Sequence, residues 1–399
     1  MSELIPVEEA QARILAAIEP LEAETVPLHQ ARGRVLAENV EARCTHPPSD
    51  ISAMDGYAVR TADATAQASL TVIGESAAGR SFDRPLAPGE TVRIFTGAPV
   101  PSGADAVVIQ ENVSREGDHA TLNEAARMGA NIRRKGLDFT KGDVRLAQGR
   151  TLNPFDISLA AAMNVPELPV HKRPLIAFFS TGDELVRPGN APGPDQIVSS
   201  NNDGLAALIE AAGGEPVDLG IAADDADVIR ATARGARRCH MLVTMGGASV
   251  GDHDLVQSAL GSDGLTLDFW RIAMRPGKPL MFGSYGPLPM LGLPGNPVSA
   301  LVCALLFLVP AIRKFQGAEP HNSQTTARLA APLKANDQRQ DYIRACYERE
   351  GGMVRVRPFE QQDSSMLSLL AASDCLIVRP PHAPAANTDD PVTILPLWT

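Results

Sequence analysis

The chain has 399 residues, 44% hydrophobic and 21% charged, which is the make-up of an ordinary globular protein and leaves room for about two to four domains. Its 36 Lys and Arg stand against 47 Asp and Glu, a net charge of −11. That excludes an overall basic footprint and, with it, nucleic acid as the main partner, so any anionic substrate must be held by local loops and helix ends working against the global field.

Apolar positions recur at helical spacing from about Val7 to Ile18 and again from Leu28 to Val40. A turn-dense stretch, THPPSDISAMDGYAVR, leads into the short β-type runs SLTVIG, ETVRIFTG and ADAVVIQE, punctuated by Gly and Pro. A helix-type patch, NPFDISLAAAMNV, follows and runs into the proline-flanked linker VPELPVHKRP. From Pro174 the pattern changes: strand PLIAFFS, helix NNDGLAALIEAAGG, strand EPVDLGI, helix DADVIRATARGARR, strand HMLVTM. Such β-α-β-α-β alternation with continuous apolar strands predicts a parallel sheet with helices on both faces, and ligands of such sheets sit outside the carboxyl ends of the strands. After Pro320, TARLAAPL, DYIRACYER, MVRVRPF, DCLIVRPP and PVTILPL predict five short strands.

The expected architecture is therefore α/β and β multidomain. An elongated N-terminal domain comprises 1–45 and 145–172, and a β-rich domain, 46–144, is inserted in it; a central parallel-sheet α/β domain (173–320) and a small C-terminal β domain (321–399) follow. The longest apolar run, Val298 to Ile312, is shorter than a membrane span and contains Pro310, so no membrane partner is expected. The N-terminal stretch MSELIPVEEAQARI is acidic and amphipathic rather than a secretory signal. Five scattered cysteines without a C-x-x-C pair point to a reducing, cytoplasmic setting and carry no zinc or disulfide signature.

Four loop sets could carry chemistry. Gly246-Gly247-Ala248-Ser249-Val250-Gly251-Asp252-His253-Asp254 follows a strand and precedes a helix, which makes it either a phosphate cradle or a tight turn with an Asp cap. Leu293-Pro294-Gly295-Asn296-Pro297 opens the apolar helix, with Asn296 as N-cap and Pro297 at the first helical position. Its rigid mouth and the cationic loop Arg275-Pro276-Gly277-Lys278-Pro279 together suggest an anion pocket. Asp55, Asp138, Asp183, Glu184, Asp224 and Asp254 sit mostly in Gly-flanked loops, as caps, as exposed charges or as carboxylates acting through Mg²⁺. Arg133-Arg134-Lys135 is either a solvated triplet or a phosphate clamp.

The segments SAMDGYAVR, RIFTGAPVPSGADAVVIQE, STGDEL, GGASVGDHD, RPGKP and LGLPGNPVSA stand in the order seen in the MoeA family, and the resemblance covers essentially the whole chain. That family comprises the molybdopterin molybdenumtransferases and includes the E domain of gephyrin. The resemblance implies that 173–320 binds molybdopterin. It also implies that molybdate is inserted into adenylylated molybdopterin with release of AMP, with Mg²⁺ as cofactor. By motif position, Asp55, Thr96, Asp138, Glu184, Asp254 and Lys278 resemble residues tied to activity, and Glu184, Asp224 and Asp254 resemble those tied to the metal. The resemblance extends the substrate-binding set to Gly246, Gly247, Ser249, Gly251, Arg275, Pro294, Gly295 and Asn296, and to Arg344 with Ser364 or the adjacent Ser365 for molybdate. It further implies a homodimer in which Asp55 and Thr96 are supplied in trans. Arg275 departs from the family, standing where a lysine is common, and Met245, Ala248 and Ser199 are further departures. Two other functions fit the same resemblance less well: a molybdopterin adenylyltransferase, and a pterin-binding scaffold without catalysis.

Overall fold

The computed structural model describes residues 4–247, 255–320, 324–350 and 353–397. The chain forms two compact units: Thr25–Arg32 with Glu38–Leu168, and Gly33–Ala37 with Pro169–Thr399 and the N-terminal segment as far as Glu24. Of the second helix expected near the N-terminus, only a single 3₁₀ turn, Leu28–Gln30, exists, and Val40–Glu41 is a strand. The preceding Pro27 and the left-handed Gly33 (φ +76°) interrupt the periodic pattern before a second helical turn forms. The stretch read as a proline-flanked linker contains a strand, Glu167–His171.

In the unit built around 38–168, a six-stranded sheet runs in the order 106–109, 56–59, 90–94, 69–76, 119–122, 113–116. Tyr57, Val59, Leu70, Val108 and Leu122 pack on one face, and Ala58, Ile94 and Val107 on the other. Helix Pro154–Ala162 begins where the sequence places it, because Asn153 and Asp156 close a reciprocal capping box and Pro154 occupies the first turn.

The other unit carries the α/β layer. In chain order it comprises β1 (Leu175–Thr181), α1 (Asn201–Ala211), β2 (Glu215–Ala222), α2 (Ala226–Ala233), β3 (Met241–Met245), α3 (Leu255–Gly261), β4 (Leu265–Trp270), β5 (Met281–Tyr285), β6 (Leu288–Leu293) and α4 (Pro297–Phe315). The sheet order is β2-β1-β3-β6-β5-β4. β2, β1, β3 and β6 are parallel, as the alternation requires, whereas β5 and β4 extend the sheet as an antiparallel meander that the sequence reading did not contain. Alternate side chains of β1 enter opposite cores. Ile176 and Phe178 pack with Leu205 and Ile209 of α1 and Ile312 of α4, while Ala177 and Phe179 pack with Ile229 of α2 and Val256 and Leu260 of α3. Burial on both faces is why this strand reads as an unbroken apolar run.

Helix α4 extends the apolar run 298–312 to 19 residues and passes the length and composition test for a membrane span. Its most apolar window is 72% buried within the unit, as in a core helix. It passes Pro310 because one wide turn, the π-helical Ala304–Leu308, immediately precedes the last segment and makes room for a residue that cannot donate.

The five C-terminal strands form and close into a barrel: 340–350, 353–358, 325–329, 391–396, 375–379 and back to 340–350. A short strand, Met274–Arg275, adds in parallel to Gln340–Asp341, tying the cationic loop to the barrel wall.

Candidate active site

A cleft of about 970 Å³ opens at the carboxyl ends of β1, β3 and β6. One wall is the turn after β3. Gly246 (φ +89°) and Gly247 (φ +65°) are both left-handed, and a Cβ on Gly246 would lie 2.8 Å from the Thr181 carbonyl oxygen. Only glycine fits there. Ser249, Gly251 and Asp254 of the same loop lie outside the described residues.

The start of α1 is held by a buried network. Asn202 accepts from Ser180 Oγ (2.5 Å) and Ser199 Oγ (3.3 Å), and donates to Asp218 Oδ1 (2.9 Å) and the Gly220 carbonyl (3.2 Å). This locks the N-terminus of α1 against the ends of β1 and β2. The neighbouring Asn201 then lines the cleft and donates its amide to the Gly295 carbonyl at 2.8 Å.

Beside that turn, the lining continues through Pro294, Gly295 and Asn296, and includes Arg275, Lys278 and Ser364. Asn296 occupies the N-cap position of α4, but its side chain makes no cap bond; its amide instead donates to Ser364 Oγ at 2.9 Å. The Ser364 carbonyl accepts from Val298 N at 3.2 Å, so the 362–366 loop is docked on the helix mouth. Ser365 does not line the cleft, and its hydroxyl donates to Asp363 Oδ1 at 2.6 Å.

The two loop cations differ. Arg275 is paired with Asp341 and, at 3.3 Å, with Asp337, a consequence of the 274–275/340–341 strand pairing. Lys278 forms no ion pair with any described residue, so its charge is available to the cleft. Arg344 is 1% exposed and does not line the cleft. Its guanidinium donates to Gln362 Oε1 (3.2 Å), the Met366 carbonyl (3.1 Å) and the Asp363 carbonyl (3.0 Å). In this structure Arg344 braces the loop that carries Ser364 rather than presenting its charge to the cleft.

Glu184 and Asp224 border the cleft on its acidic side, next to Asp183, whose Oδ1 accepts from Asp224 N at 3.1 Å. Desolvation, with the carboxylates of Asp183 and Glu184, holds the Asp224 carboxyl above the usual range. Among the described residues, no three carboxylate, thiol or imidazole groups stand as a closed metal cage.

Asp55 and Thr96 belong to the other unit and pair there: Asp55 Oδ1 accepts from Thr96 N (2.7 Å) and Thr96 Oγ1 (2.8 Å), which lowers the Asp55 pKa. Asp138 of that unit is exposed, and its carbonyl accepts from Arg145. In the basic triplet, Arg134 is taken up by Asp50.

Sequence reasoning missed Thr181, Asn201, Arg339, Gln362 and Asp363 in the cleft wall. Thr181 stands in the quoted STGDEL segment, and Asn201 opens the helix NNDGLAALIEAAGG, so both were adjacent to recognised signals.

Three family models match the chain: MoeA N-terminal region (domain I and II) over residues 5–164, probable molybdopterin binding domain over 177–314, and MoeA C-terminal region (domain IV) over 326–397. Similar proteins include a molybdopterin molybdenumtransferase of Haemophilus influenzae, 35% identical over 98% of both chains. Molybdopterin molybdenumtransferase 2 of Mycobacterium tuberculosis is 38% identical over 86% of this chain and 87% of its own. The crystal structure of the molybdopterin biosynthesis MoeA protein from Pyrococcus horikoshii superposes with a TM-score of 0.86 at 30% identity, covering 99% of this chain and 100% of that one. On its domain order, its fold and its full-length similarity to these proteins, this chain belongs to the MoeA family.

Proposed function

We propose that this chain is a molybdopterin molybdenumtransferase of molybdenum cofactor biosynthesis, acting in the cytoplasm, which inserts molybdate into adenylylated molybdopterin and releases AMP. The observation that carries this reading is the cleft, lined by a glycine turn, by Lys278, which has no ion pair among the described residues, by Ser364, whose hydroxyl accepts from Asn296, and by the carboxylates Glu184 and Asp224.

Each group has a role in an oxyanion reaction. Because Ser364 Oγ accepts from Asn296, its own proton is left to donate to a molybdate oxygen. Lys278 attracts the same anion without a proton transfer, and Arg275, half-neutralised by Asp341, shapes the loop that presents it. The glycine turn lets backbone approach the phosphate-bearing substrate. Mg²⁺ typically keeps most of its waters and takes one or two protein carboxylates plus substrate phosphate, so an open acidic edge fits it better than a closed cage does. Desolvation, and after it repulsion from Asp183 and Glu184, raises the Asp224 pKa, and such an ion would offset both. Glu184 and Asp224 would hold it, with Asp254 as a third candidate, and it would neutralise charge on the pyrophosphate-type linkage. We further read the active form as a homodimer, with the Asp55–Thr96 pair contributed by the second subunit.

The test is to incubate the purified chain with adenylylated molybdopterin and Mg²⁺, with and without molybdate, and to quantify free AMP. Molybdate-dependent AMP release is expected. Release that ignores molybdate, or none at all, would refute the assignment.

A further inference from the structure

Two polar atoms in the cleft wall have no hydrogen-bond partner among the described residues, although both are shielded from solvent: Thr181 Oγ1 and Asn201 Oδ1. Thr181 is only 5% exposed. Buried polar groups are almost always paired, and an unmade bond of this kind is a cost that the free protein carries. Asn201 cannot reorient to relieve it, because its amide nitrogen is committed to the Gly295 carbonyl at 2.8 Å. Its oxygen is therefore fixed as an acceptor. The two atoms share one neighbourhood. A Cβ on Gly246 would lie 3.1 Å from Thr181 Oγ1, and a Cβ on Gly295 would lie 3.5 Å from Gly246 Cα.

We propose that Thr181 Oγ1 and Asn201 Oδ1 are substrate-recognition atoms reserved for the neutral, N–H- or O–H-bearing part of the ligand. This deepens the transferase reading and rests on it. A lone-pair acceptor repels phosphate and molybdate oxygens, so Asn201 Oδ1 does not serve the anion. That task falls to Lys278 and Ser364 of the same cleft. Thr181, whose hydroxyl both donates and accepts, completes a donor–acceptor pair suited to the edge of a heterocycle. Two parts of the substrate offer such chemistry, the pterin edge and the adenosine moiety.

Thr244 supplies an internal control. Its hydroxyl is also buried and has no partner among the described residues, but Thr244 sits within β3 and does not line the cleft. Removing an unpaired buried hydroxyl without changing shape is neutral or stabilising. Thr181→Val and Thr244→Val are therefore both expected to melt at or above the wild-type temperature.

The experiment measures melting temperature and the binding of adenylylated molybdopterin, molybdopterin and AMP. It compares wild type with Thr181→Val, Thr181→Ser, Asn201→Ala and Thr244→Val. Thr181→Val and Asn201→Ala are expected to weaken adenylylated molybdopterin about tenfold, the effect of one hydrogen bond. Thr181→Ser restores binding, and Thr244→Val binds as wild type. A parallel loss with molybdopterin assigns the contact to the pterin, and a parallel loss with AMP assigns it to the nucleoside. Undiminished binding of adenylylated molybdopterin by Thr181→Val overturns the inference, as does a Thr181→Val protein that melts several degrees lower, which would make the hydroxyl structural. If wild type itself fails to bind adenylylated molybdopterin, the transferase reading fails instead.

Discussion

Lys278→Gln and Arg275→Gln remove neighbouring cations from one loop, yet the structure separates their consequences. Lys278 has no carboxylate partner among the described residues, so its full charge is available to an incoming anion. Losing one charge-assisted hydrogen bond costs about 1.5–3 kcal/mol, which is about a 10- to 150-fold rise in the molybdate concentration for half-maximal AMP release. Stability should change little, since no described residue loses an ion pair. Arg275 is the opposite case. Asp341 has a side chain only 13% exposed, its Oδ1 is already without a partner, and Arg275 supplies the bond to Oδ2. Arg275→Gln should therefore cost about 1–3 kcal/mol of folding stability, with a smaller shift in molybdate response. The assay pairs a molybdate titration of AMP release with urea unfolding of the same preparations. Because the cleft is open to solvent, the Lys278 effect should shrink as salt is raised. A Lys278→Gln enzyme with the wild-type molybdate response would refute this division of labour. So would an Arg275→Gln enzyme that unfolds at the wild-type midpoint while losing affinity.

Arg344→Lys keeps the charge but not the planar fork that serves three acceptors, so about 2–4 kcal/mol of stability should be lost, read by urea unfolding. An unchanged midpoint with weakened molybdate response would mean instead that Arg344 meets the anion directly. Asn296→Ala should cost α4 less than the usual N-cap loss of about 1 kcal/mol, because no cap bond exists, while weakening the molybdate response through Ser364. A full cap-sized loss of stability with normal turnover would contradict that. Asp224→Asn should stabilise the free protein at neutral pH. An acid whose pKa is raised by folding holds its proton more tightly when folded, so wild type loses stability as pH rises from the unfolded value of about 3.9 through the raised folded value, and the variant does not. Melting curves of the two should converge below that window, and added Mg²⁺ should raise the wild-type melting temperature more than that of the variant.

How much of the site could be read in advance depends on whether the controlling interaction is local. The glycine turn after β3, the Pro-Gly-Asn mouth of α4 and the RPGKP loop were legible because their chemistry is written in adjacent residues: left-handed φ, a missing N–H, a cap position. The five barrel strands and the helix that opens at Asn153 were legible from local pattern as well. What was not legible is set by partners far along the chain. Arg275 looked like a free anion-binding cation, and it loses that freedom to a carboxylate 66 residues away, brought alongside by a two-residue parallel strand. Arg344 looked like an oxyanion ligand, but its donors go to the turn at 362–366, which local pattern marks only as polar. Thr181 and Asn201 stand next to signals that local pattern did mark, the STGDEL segment and the start of helix NNDGLAALIEAAGG, but only the sheet topology, which sets the start of α1 beside the end of β1, brings them to one cleft. Local pattern thus identified the loops that surround the cleft, and tertiary pairing decided which charges and hydroxyls remain free to act within it. Loop substitutions should accordingly divide by partner: residues with long-range partners should register first in unfolding, and those without in the molybdate and pterin titrations.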